Sequence, residues 1–174
     1  MAIILKTSND QNRILQVRRG SFAFHKVKEY EKFDILLQEL KNYWKDFGEC
    51  ADQQLSINMV TVRYLNFIEK DTTETNSDLV TIFTRHPAFS DEINGFVHLK
   101  FKYPKNDSIS INIVTADAKD NANEGVILDI FLNRKINDET DVATVFQYIS
   151  ELRAIKNTLF FKCVTKKMTK KYNQ

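Results

Sequence analysis

Between Ile93 and Leu132 the hydrophobic period is two, in three successive runs. Ile93, Gly95, Val97, Leu99, Phe101 and Tyr103 fall on one face of the first run, against Asn94, Phe96, His98, Lys100 and Lys102 on the other. Ile109, Ile111 and Ile113 form the second run, and Val126, Leu128, Ile130 and Leu132 the third. A strand sends successive side chains to opposite faces, so this spacing describes three half-buried strands. Pro104 to Asp107 and Asp117 to Asn123 are polar connections, which makes the segment an antiparallel meander over about 93–132. Strands and helices do not alternate one for one, which favours an antiparallel sheet with helices on one face over a parallel one.

A sheet with an apolar face has to bury it, and two stretches of helical period supply the cover. Phe33, Leu36, Leu37, Leu40, Trp44 and Phe47 form one stripe of a helix over about 29–47, with Gly48 as its expected stop. Val142, Val145, Ile149, Leu152, Leu159 and Cys163 form the stripe of a second, over about 140–168, with Asp138 as the expected N-cap. Residues 2–7, 13–17 and 21–25 read as short extended runs, and Gly20 permits a turn or bulge. The run 55–68 is apolar on both parities, broken by Arg63 and Asn66, and reads as a central strand covered on both faces. The acidic stretch 69–78 reads as a surface loop. The expected fold is a single α+β domain over 1–174. It is a curved antiparallel sheet of about six or seven strands with two long amphipathic helices packed on it.

Composition narrows the function classes. The chain carries 25 Lys and Arg against 23 Asp and Glu, so the net charge of +2 does not by itself mark a nucleic-acid binder. Only 4 Gly are present, too scattered for a phosphate-cradling loop. No apolar run approaches the length of a membrane span, so no membrane partner is expected. Ala2 to Leu5 is too short for a secretory leader, so the expected location is cytoplasmic. Cys50 and Cys163 are too few for a metal cage, and Cys163 reads as a small core residue.

No constellation of catalytic residues stands out. His25, His86 and His98 lack ligand-spaced partners, and Asp107, Asp117 and Asp120 fall in apparent turns, where Asp bonds locally. No cofactor, metal or catalytic residue is assigned. Arg63 beside Tyr64 suits a phosphate or carboxylate, or else pairs with Asp129 or Glu69. Arg18, Arg63, Tyr64 and Asn66 are the candidate ligand- or partner-binding residues. Arg19, Lys162, Lys166, Lys167, Lys170 and Lys171 are the candidate phosphate contacts of a nucleic-acid binder. The expectation is a non-enzymatic interaction or ligand-binding module, with self-association as a homodimer one form of it. Nucleic-acid binding through Arg18, Arg19, Arg63 and the lysine-rich C-terminus, and a hydrolase or nuclease with an unrecognised site, are the alternatives.

Two segments carry a likeness: Leu15-Gln16-Val17-Arg18-Arg19-Gly20-Ser21-Phe22 and Val62-Arg63-Tyr64-Leu65-Asn66-Phe67-Ile68. They resemble a sporadically distributed prokaryotic family of uncharacterised proteins, of which this chain resembles the C-terminal portion. In that family an Arg-x-x-Phe strand precedes an aromatic helix, matched here by Tyr30, Phe33, Leu36 and Trp44. A segment like Arg63-Tyr64-x-Asn66-x-Ile68 follows, and a closing helix ends as Phe160 to Thr165 does. The likeness spans most of 12–168. Family members commonly carry a further N-terminal region, so it implies a shortened member or a separately expressed part. It implies no chemistry for Arg18, Arg63, Tyr64 or Asn66. The family's patchy occurrence implies an association with mobile-element or defence genes.

Overall fold

The computed structural model describes residues 2–7, 10–27, 32–50, 56–82, 96–137 and 140–172. The chain divides into two compact units, residues 1–55 and 56–174. The strands of the described residues form two antiparallel sheets, of three and four strands, instead of the one curved sheet expected. Hydrophobic period identifies a strand but not its pairing partner, and here each unit pairs its strands internally.

In the first unit β1 (Ala2–Thr7), β2 (Asp10–Arg18) and β3 (Ser21–Lys26) lie in that order. The chain reverses between β2 and β3 in two residues, because Gly20 takes a φ of 76°. α1 (Phe33–Cys50) lays its stripe on this sheet through aromatic contacts. Phe22 meets Trp44 edge-on at 5.5 Å and Phe47 at 5.1 Å, and Phe24 meets Tyr43 at 5.3 Å. Arg13 clasps Glu39 with two hydrogen bonds, of 2.7 and 2.9 Å, which ties β2 to α1. The helix runs through Gly48 to Cys50, so that glycine does not end it.

The second unit holds β4 (Met59–Glu69), α2 (Asn76–Leu79), β5 (Phe96–Tyr103), β6 (Asn106–Asp120), β7 (Asn123–Lys135), α3 (Val142–Cys163) and α4 (Lys166–Tyr172). Its sheet has the order β4-β7-β6-β5. The meander is present, with longer arms than the sequence implied. Residues 117–120 continue β6, and the chain reverses over Asn121 and Ala122, with Asn121 at φ 55°. β4 is an edge strand rather than a central one. Its even residues Val60, Val62 and Ile68 are buried, while Met59, Arg63 and Leu65 are exposed.

α3 lies over β4 and β7. A helix about 10 Å wide covers about two strands spaced about 4.8 Å apart. The core therefore gathers Val62, Ile68, Leu128, Ile130, Leu132, Val145 and Leu152 on that side. Ile109, Ile111 and Ile113 of β6 are also buried, but Leu99 and Phe101 of β5, on the same face, are 40% and 39% exposed. The face of β5 expected to be buried is thus covered only in part.

The C-terminal helix expected over 140–168 is two helices. After Cys163 the chain turns extended, and Val164 bridges Val80. Thr165 donates its hydroxyl to Asp78 O at 2.6 Å and accepts from Met168 N at 3.3 Å, which starts α4. Asp141 caps α3, accepting from the Thr144 hydroxyl at 2.6 Å and from Thr144 N at 2.9 Å; the hydroxyl bond first, and the backbone bond after it, hold its carboxyl below the usual range. Asp138 lies outside the described residues, as does His86. The stretch 69–78 is not purely surface: it contains part of α2, and Glu74 and Asn76 are buried.

Candidate functional site

The register of the second sheet fixes which side chains face away from α3. β4 contributes Thr61, Arg63, Leu65 and Phe67; β7 contributes Asn133, Phe131, Asp129 and Ile127 beside them. β6 adds Ser110, Asn112, Val114 and Ala116, and β5 adds Lys102, Lys100, His98 and Phe96. None of these sixteen is buried. The row Phe67, Ile127, Ala116, Phe96 is apolar across all four strands, and the row Thr61, Asn133, Ser110, Lys102 is polar. Leu65 is 61% and Phe96 67% exposed, among the largest apolar exposures of the described residues.

β5 is the strand where both faces stay open. Phe96, His98, Lys100 and Lys102 point away from α3, and Leu99 and Phe101 point toward the helix side but beyond its reach. Its backbone pairs with β6 along one edge, and among the described residues no strand pairs with the other. The free edge therefore offers alternate N–H and C=O groups beside apolar side chains.

The residues singled out from the sequence do not converge. Arg63 forms a fork to Asp129, with contacts of 3.1 and 2.7 Å, on the open face; the bonds raise the guanidinium's pKa. Of the two partners expected for it, Asp129 is the one used. Tyr64 points to the opposite side, beneath α3. Asn66 shares that side and donates to Leu128 O at 3.1 Å, bracing β4 against β7. Arg18 and Arg19 are exposed at the β2–β3 turn of the first unit. Lys162, Lys166 and Lys170 are exposed in the second unit. Lys167 is bound to the buried Glu74, which raises its pKa. The side chain of Lys171 lies outside the described residues.

Sequence reading missed Lys156. It sits on the stripe of α3, four residues after Leu152 and three before Leu159, and is only 6% exposed. Its ammonium lies 3.4 Å from the centre of the Tyr64 ring. Burial, with Arg153 nearby, lowers its pKa to about 8. The signal was present: the apolar list of the stripe skips the one position where a lysine stands. Arg134 also sits over a ring, 3.4 Å from the centre of Tyr148, and it pairs with Glu151.

Among the described residues no three His, Cys, Asp or Glu side chains are grouped as metal ligands would be. Cys50 and Cys163 are free thiols, and burial pushes the Cys163 thiol up to about 11. A cavity of about 350 Å³ at the β6–β7 hairpin is lined by Lys70, Asp117, Lys119 and Glu124. Its charges already engage one another, with Lys119 2.7 Å from Glu124. No helix among the described residues is long and apolar enough to cross a membrane. Comparison with family models, curated proteins and solved structures finds no match.

Proposed function

We propose that this protein is a non-enzymatic binding module that receives an extended segment of a partner protein along the free edge of β5. One observation carries the reading: β5 exposes apolar side chains on both faces at an edge whose backbone is open among the described residues. An added strand would complete the hydrogen-bond ladder and cover Leu99 and Phe101, extending the layer begun by their cross-strand neighbours Ile113 and Ile111. The free, exposed thiol of Cys50 suits the reducing cytoplasm in which such a partner would be met. The mobile-element or defence association belongs to this proposal as its setting. The test is selection of displayed random peptides on the full chain, followed by amide-resolved NMR. The selected peptides protect alternate amides of β5 from exchange; peptides that bind and leave β5 unprotected refute the reading.

Nucleic-acid binding is the second reading, favoured by the exposed Lys162, Lys166 and Lys170 within the second unit. A mobility shift that weakens with salt and is lost in the triple Lys→Ala variant supports it, and no shift at low salt removes it.

A further inference from the structure

We propose that the segment β5 receives is acidic: an extended stretch in which Asp or Glu alternates with apolar residues. This rests on β5 as the docking strand and adds the chemistry of its occupant.

Charge and parity along β5 select that occupant. β5 reads Phe96-Val97-His98-Leu99-Lys100-Phe101-Lys102-Tyr103 and contains two lysines, one histidine and no acid. Lys100 and Lys102 share the face turned away from α3, and both are exposed. On the neighbouring strands that face carries one carboxylate within the four rows, Asp129, and Arg63 already takes it in a two-point bond. Lys135 extends the same face of β7 and is exposed. Lys102 Nζ donates to the main-chain carbonyl of Asp107 at 3.2 Å, and among the described residues neither Lys100 nor Lys102 is ion-paired to a carboxylate. Residues directly opposite on paired strands approach to about 5 Å and share a face. A fifth strand thus sets one parity against Lys100 and Lys102 and the other against Leu99 and Phe101. Acid on the first parity and apolar groups on the second satisfy both.

The same geometry argues against a second copy of this chain. Antiparallel pairing of two β5 strands about Leu99 sets His98 opposite Lys100 and Phe96 opposite Lys102, which brings cations together and supplies no acid. Edge lysines of this kind oppose self-pairing while leaving the edge open to a complementary strand.

The test measures binding of the full chain to labelled peptides by fluorescence anisotropy, at low and moderate salt, with β5 amide protection read by NMR. The probes are a short peptide alternating Glu with Val, its Lys counterpart, and an oligo-dT strand. The expected result is that the Glu peptide binds about tenfold or more tightly than the Lys peptide. Its affinity falls with salt and it protects β5. In Lys100→Glu/Lys102→Glu, whose substitutions are on exposed positions, the preference inverts. Equal binding of both peptides with β5 protected overturns the acidic chemistry and leaves β5 as the docking strand. Binding of the Glu peptide without protection of β5, or no binding of either peptide, overturns the acidic proposal; the former also removes β5 as docking strand. Protection of β5 by oligo-dT alone assigns the edge to nucleic acid and overturns the proposal as well.

Discussion

Lys156→Met makes the buried ammonium under α3 measurable. The lysine's pKa falls from an ordinary 10.5 to about 8 on folding. Below pH 8 both folded and unfolded chains hold the proton, and the full cost of burying the charge is present. As pH rises from 8 toward 10.5 the folded chain releases the proton while the unfolded chain keeps it, so stability rises with pH. Between pH 7 and 9 that linkage is worth at most about 1.3 kcal/mol, and residual solvent screening lowers it. Cys163 works in the opposite direction. Its thiol rises from 9.0 to about 11 on folding, so the unfolded chain ionises first and stability falls as pH rises through 9. By pH 9 this removes roughly 0.4 kcal/mol, leaving a net rise of up to about 1 kcal/mol. Methionine keeps most of the volume and removes the charge, at the loss of a Tyr64 contact worth about 0.5–2 kcal/mol. Lys156→Met is therefore about 1 kcal/mol more stable at pH 7, because the desolvation cost outweighs that contact. It also loses the rise toward pH 9. Urea unfolding followed by the methyl signals of Ile109, Ile111, Ile113 and Ile130 reports on the second unit alone. A natural chain whose stability is flat or falling from pH 7 to 9, or a variant that keeps the rise, refutes the reasoning.

Three further outcomes use the same assay. Gly125→Ala would place a Cβ 2.7 Å from the Phe67 ring and against the carbonyl of Ile68, so it should lower stability by about 1–3 kcal/mol; an unchanged urea midpoint would contradict the packing there. Thr165→Val deletes the bond to Asp78 O and the start of α4, and should cost about 1–2 kcal/mol, with the largest methyl shifts near Val80 and Val164. Arg63→Ala breaks a pair on the open face and should cost no more than about 1 kcal/mol; a larger loss would mean that Arg63 braces more than Asp129.

Much of the secondary structure was legible, and particular residues explain the misses. The stripe of α1 reads from Phe33 to Phe47 because each position repeats with the helical period. The break between α3 and α4 was hidden, because Val164 and Thr165 continue a tolerable helical pattern and leave it only to meet Val80 and Asp78. Arg63 was visible as a polar interruption, with Asp129 and Glu69 both open as its partner, and only the strand register selects Asp129. Lys156 escaped because a lysine among apolar positions reads as a solvated face until a ring lies beneath it. The candidate docking strand escaped for the converse reason: the alternation of β5 reads as half-buried whether or not anything covers it.

The local periods belong to the sequence alone. They set which segments are helix or strand, which parity is apolar, and where Gly20 reverses the chain, because each depends on neighbours a few residues away. Pairing and cover belong to the tertiary structure. Whether the seven strands of the described residues join one sheet or two depends on contacts between distant segments, and a single helix covers about two strands. α3 settles over β4 and β7, and that placement leaves Leu99 and Phe101 of β5 exposed in part.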